Sequence, residues 1–140
     1  MIVVTADLLR PQLAAIFEAW GMDRDHIATT VHVMVETDLT GVDSHGVGMM
    51  PTYDRWWREG KINVRPEIRV VRERASVALI DADRSLGHPP STMAMQMAIA
   101  KAKETGIGVV SVQHSNHFGA AGHYALLAAR AGLIGMAMTN

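Results

Sequence analysis

Cysteine is absent from the chain. A disulfide framework, a thiolate metal site and a cysteine nucleophile are therefore excluded, and a reducing compartment is allowed. Aromatic residues are scarce, at 5%. A base-stacking platform would have to rest on Trp56 and Trp57, and no basic groove surrounds them, so the pair reads as packing. Charge of one sign is also lacking: 13 Lys and Arg stand against 14 Asp and Glu, for a net charge of -1. That removes the electrostatic footprint expected of a nucleic-acid or anionic-membrane binder. No apolar run approaches the roughly 20 residues needed to span a bilayer. No basic start followed by an apolar stretch suggests a signal peptide. The expectation is a soluble, cytoplasmic protein with no nucleic-acid or membrane partner.

What is present fits one globular unit. Apolar residues make up 49% of the 140 positions and charged residues 19%, far from a disordered composition. Methionine is abundant, with ten residues, and its flexible thioether fills irregular gaps in cores. Methionine is therefore expected inside.

The first half reads as helical. Leu9, Leu13, Ile16, Phe17 and Trp20 recur at helical spacing, with Gly21 as a stop. Pro11 implies either a kink or a helix that begins there. Asp23 is a candidate cap for a second helix carrying Ile27, Val31, Met34 and Val35, ending before Gly41. The polar turn 40–46 follows. Pro51 is suited to open a third helix with Tyr53, Trp56 and Trp57, closed by Gly60. From about residue 64 the character changes. Stretches 68–71 and 77–80 are β-branched and read as strands. A loop at 81–87 leads to an Ala- and Met-rich helix over 91–104, a buried strand over 107–112, a loop, a helix over 120–131 and a last strand over 133–138. The αβαβ order is that of an α/β domain. A final strand running to a polar pair, Thr139-Asn140, suggests a domain that continues.

Seven histidines are present. His26 and His32 fall on the polar side of the second helix, and His123 lies inside the fifth; these read as structural. His45 sits in a turn beside Asp43, Ser44 and Gly46, where rigid helices can present an imidazole able to move protons near neutral pH. His114 and His117 follow a buried strand, the place where open α/β sheets bind ligands. The glycines at 119 and 122, at a helix start, allow close approach of an anion, although the G-x-G-x-x-G fingerprint is absent. A zinc site from His45, His114 and His117 lacks an H-E-x-x-H motif or an acidic third ligand. A triad from Asp43, Ser44 and His45 fails because adjacent residues cannot point at one another in series.

Two blocks carry a resemblance. Asp43 to Val47 (DSHGV), with Pro51 and Tyr53 beyond it, and the long stretch from Ser115 to Asn140 (SNHFGAAGHYALLAARAGLIGMAMTN) resemble the malate/L-lactate/ureidoglycolate dehydrogenase family. The resemblance covers essentially the whole chain. It implies an α/β (α+β) fold in which an N-terminal helical segment, 1–64, precedes the first part of a non-Rossmann nucleotide-binding domain, 65–140. It implies hydride transfer between NAD or NADP and C2 of a small 2-oxo, 2-hydroxy or 2-imino acid, a homodimer, and no catalytic metal. On the same ground His45, His117 and Ser44 are the catalytic candidates, Asn116 and Tyr53 the substrate-binding ones, and Gly119, Ala120 and Asn140 the cofactor-binding ones. Two positions depart from the family pattern. Met49 stands where members usually carry an arginine that can fork onto a carboxylate, and His88 stands where glutamine is common. Family chains are also much longer, so a fragment is expected. A non-catalytic cofactor-binding or dimerisation module of the same fold is the alternative.

Overall fold

The structure, a computed structural model, describes residues 3–139; Asn140, expected at the cofactor, lies outside the described residues. Five α-helices and three strands follow in the order α1 (Ala6–Ala19), α2 (Arg24–Leu39), α3 (Met50–Arg58), β1 (Arg69–Glu73), β2 (Val77–Asp81), α4 (His88–Thr105), β3 (Val109–Gln113) and α5 (Ala121–Arg130). A single 3₁₀ turn, Val47–Met49, leads into α3.

Helix α1 begins at Ala6, so the start at Pro11 is corrected. The amides of Leu8 and Leu9 both bond to the carbonyl of Thr5, closing the first turn before the proline. Pro11 then sits inside the helix and leaves the carbonyl of Asp7 without its usual i+4 donor. Leu13 and Phe17 are buried, whereas Ile16 is 41% exposed, so the apolar face is narrower than the sequence pattern. Asp23 stands at the N-cap of α2 with extended backbone, but its side chain makes no capping bond. Helix α2 is buried beyond the expected stripe, because Thr30, Val33 and Thr37 are enclosed as well. It is packed against α1 on one side and against α4 and α5 on the other.

The helical core joins Leu13, Phe17, Trp20, Ile27, Met34 and Tyr53, with Leu86 from the second half. Trp57 stacks on Trp20 at 5.1 Å between centroids, and Phe17 meets Trp20 edge-on. The tryptophans are packing residues, as read from the sequence. Met22 and Met34 are in the core, but Met136 and Met138 are 73% and 76% exposed, so interior methionine holds only in part.

The sheet has the order β1-β2-β3. Strands β1 and β2 are antiparallel with an irregularity between Val70 and Arg72, and β2 and β3 are parallel, pairing Val77 with Val109 through Asp81 with Gln113. Parallel strands need a crossover, supplied by α4. Helix α4 starts three residues earlier than expected, because Pro89 and Pro90 are tolerated in a first turn whose amides have no partner in the helix. The strand expected over 133–138 does not form. The segment is irregular, with Ile134 98% exposed. Its apolar pattern is that of a strand, yet none of the described strands pairs with it.

Candidate active site

Two turns meet to form the site. The first follows α2. Gly41 takes φ +80°, and the amide of Val42 returns to the carbonyl of Thr37, a helix end that only glycine adopts without strain. Asp38, on the last turn of α2, accepts a hydrogen bond from the amide of Val47 at 3.0 Å. A Cβ on Gly46 would lie 1.7 Å from the same carboxylate, so residue 46 has to be glycine for the turn to close. Burial pushes the Asp38 carboxyl above its ordinary pKa, the Val47 amide works against that, and the charge on Asp43 adds to it. On this turn Ser44 and His45 face solvent, with Ser44 Oγ 2.8 Å from His45 Nδ1.

The second turn follows β3. Because β2 and β3 run parallel, the loops after them leave the same sheet edge, and the two loops are bonded together. Amides of Ala82, Arg84 and Gly87 donate to the carbonyls of Gln113, His114 and His117, while the Asn116 amide donates to Ser85. Gly87 makes this contact possible: a Cβ there would stand 2.5 Å from that of Phe118. Asn116 adds side-chain bonds from Nδ2 to the carbonyls of Arg84 and Ser85 at 2.7 and 3.1 Å. Tyr124, buried and stacked on Phe118, donates to the Phe118 carbonyl.

These turns bring His45 and His117 to 5.3 Å between ring centroids, tilted by 34°. Tyr53, from α3 and fully buried, places its hydroxyl 2.7 Å from Nδ1 of His117. The amide of Gly119 donates to the same nitrogen at 3.3 Å. A backbone N–H can only donate, and this contact fits Nδ1 as an acceptor with the ring proton on Nε2. Burial holds the Tyr53 phenol above its ordinary pKa, so Tyr53 keeps its proton and can donate to the same nitrogen. Burial first, and the neighbouring His45 second, hold His117 below the ordinary histidine value. His117 is thus neutral at physiological pH.

Of the residues singled out in the sequence, Ser44, His45, Tyr53 and His117 converge. Tyr53 is too enclosed to meet a substrate and bonds to His117 instead. The Asn116 amide nitrogen is engaged by the adjoining loop rather than turned outward. His114 lies apart, 3.1 Å from Asp81, beside a cavity of about 360 Å³ that Arg69, Asp83 and Arg84 also line. Among the described residues no three His, Asp or Glu side chains are grouped to hold a metal ion. Gly119 has φ +79°, and a Cβ on it would meet His88 and Val33 at 3.3 and 3.4 Å. Its missing side chain thus serves the backbone and the interior rather than an open cradle. Ala120 caps α5, and a Cβ on Gly122 would meet nothing. Asp38 and Gly87 were not singled out from sequence. An aspartate eight residues before the glycine of Ser-His-Gly was the available signal for the first.

The family model for malate/L-lactate dehydrogenase matches residues 4–140. The chain belongs to the malate/L-lactate dehydrogenase family. It is 42% identical over 137 residues to a malate dehydrogenase of Pyrococcus horikoshii, covering 98% of this chain and 38% of that protein. It is 40% identical to an L-sulfolactate dehydrogenase of Methanocaldococcus jannaschii, over 89% of this chain and 36% of that protein. The solved structure of the Pyrococcus horikoshii malate dehydrogenase superposes with a TM-score of 0.88 at 41% identity, covering 94% of this chain and 38% of that one. This member of the family therefore spans under half the length of the relatives it matches. Its non-Rossmann character, expected from the sequence, agrees with these neighbours. No helix among the described residues is long and apolar enough to cross a membrane.

Proposed function

We propose that this chain supplies the acid–base part of the active site of an oxidoreductase acting at C2 of a small 2-hydroxy or 2-oxo acid, with NAD or NADP as hydride carrier. The observation that carries the reading is the His45–His117 pair, 5.3 Å apart on turns that other side chains hold in place. Family membership and the dehydrogenase names of the relatives support it.

The two histidines divide the work. His117, with its proton on Nε2, donates a hydrogen bond to the substrate oxygen. Its Nδ1 is occupied and takes no proton from substrate. His45 is open to solvent and takes the hydroxyl proton as C2 is oxidised, while Ser44 Oγ accepts from Nδ1–H. In the reverse direction the imidazolium of His45 returns that proton. Tyr53 and Asn116 position His117 and its loop. The same reading places the enzyme in the cytoplasm as a homodimer. Exposed apolar side chains such as Val77, Val109 and Ile134 leave surface for a second copy to cover.

The test is NADH and NADPH oxidation with a panel of 2-oxo acids, in a form that also carries the C-terminal portion found in the relatives. His45→Ala is expected to lower turnover by roughly 10²–10⁴-fold. Met49, packed on the core where the family pattern has an arginine, favours a second reading as a non-catalytic module of the same fold. On that reading neither the parent nor His45→Ala turns over, and the substitution alters stability alone.

A further inference from the structure

Behind the histidine pair lies a side chain with no part in the mechanism above. His88 is the first residue of α4 and is 0% exposed. Neither of its ring nitrogens has a hydrogen-bond partner. Leaving a buried polar group unpaired costs on the order of 1–3 kcal/mol, so an apolar side chain would fill the same space at lower cost. A group kept there against that cost calls for a role. Burial, with His117 and His123 nearby, pushes its pKa down to about 3, so the ring is neutral whenever the fold is intact near neutral pH.

Two contacts indicate what the ring does. It stands edge-on to Tyr53, with centroids 5.8 Å apart and planes at 78°. Its Nε2 lies 3.3 Å from the place a Cβ on Gly119 would take. Tyr53 and Gly119 are also the two donors to Nδ1 of His117, at 2.7 and 3.3 Å. One buried ring therefore backs both groups that decide where the His117 proton sits.

We propose that His88 is a positioning residue for the site: wedged between Tyr53 and Gly119, it sets both donors on His117 Nδ1 and so holds His117 as the Nε2–H tautomer. The consequence for catalysis rests on the proposed function, in which a fixed Nε2–H donor leaves proton transfer to His45. The tautomer itself is a property of the resting chain and can be read without turnover.

Long-range ¹H–¹⁵N correlation spectra of the ¹⁵N-labelled chain, recorded above neutral pH, identify the protonated nitrogen of each histidine. The native chain is expected to show His117 with an unprotonated Nδ1. In His88→Ala, Tyr53 and the Gly119 loop lose their backing, and the Nδ1 resonance should move upfield toward the protonated position. A native His117 that is already Nδ1–H would overturn the proposal, as would a folded His88→Ala chain with the native His117 signals. If His88→Ala does not fold, His88→Leu, which keeps the volume but not the flat ring, decides by the same criterion. Turnover that survives His45→Ala would sink the functional reading and leave the role of His88 standing, so the two failures are distinct.

Discussion

On the proposed function, substrate recognition turns on Met49. It packs against the helical core, while Arg55, the nearest cation further along α3, is exposed. Met49→Arg, made in the longer form, is expected to lower KM for 2-oxo acids about tenfold, the size of one charge-assisted hydrogen bond to a carboxylate. Steady-state kinetics with a carboxylate series checks it, and an unchanged KM would mean that the carboxylate is held elsewhere. The variant should also be less stable, since a methionine leaves the core. Residue identity alone pointed to His45 and His117, because imidazoles in loops after helices and strands are suited to proton transfer. It did not reveal that Tyr53 faces inward. A tyrosine on an amphipathic helix can serve a substrate or a neighbour equally well, and its choice is made by a residue 64 positions away.

At the scale of elements, the paired loops after β2 and β3 matter most. Gly87→Ala would set a Cβ 2.5 Å from that of Phe118 and 2.6 Å from the Asn116 carbonyl. Neither neighbour is the free end of a flexible side chain, so the loop carrying His117 must shift. The expected cost is about 1–3 kcal/mol, as for overpacking elsewhere, together with a loss of turnover larger than the loss of stability explains. Urea unfolding beside kinetics checks this, and a variant with native turnover would show that the loop tolerates separation. Most elements were legible locally: α2 from the spacing of its apolar residues, α4 from its Ala- and Met-rich composition, and glycines follow the ends of both. Three details were not. Pro11 is accommodated inside α1 because the first turn closes ahead of it. Helix α4 reaches back to His88 because prolines fit a first turn. The apolar stretch 133–138 remains irregular because a strand exists only through a partner, and β-propensity supplies none.

For the whole molecule, three imidazoles set the response to acid. Burial depresses His88, His117 and His123, the last also under the influence of His32 and Arg130 and against that of Glu36. Each takes up its proton more readily in the unfolded chain, so each contributes stability that is complete above about pH 7 and is lost as pH falls below the ordinary histidine value of about 6.5. His88 alone should remove about 1.4 kcal/mol per pH unit in that window. Asp81, held at about 2 mainly by the Asp83 amide and then by Gln113 and His114, adds a loss of the same sign below about pH 4. Asp38 acts in the opposite sense, since its raised pKa favours the fold at low pH. Urea unfolding at pH 7.5 and pH 5 should show a clear drop in midpoint that His88→Gln reduces; equal midpoints would contradict the assignment. The sequence by itself determined the local features: where most helices and turns lie, which histidines lie in loops, and the family to which these patterns belong. Those follow from bond geometry and from side-chain spacing along a few turns of chain. Tertiary structure alone decided that His45 and His117 meet, that His114 turns to Asp81, that Asn116 binds its own scaffold, and that Tyr53 and Gly119 both reach Nδ1 of His117. Each of these depends on a hydrogen-bond partner or a packed ring brought from a distant element, and no local pattern encodes that choice.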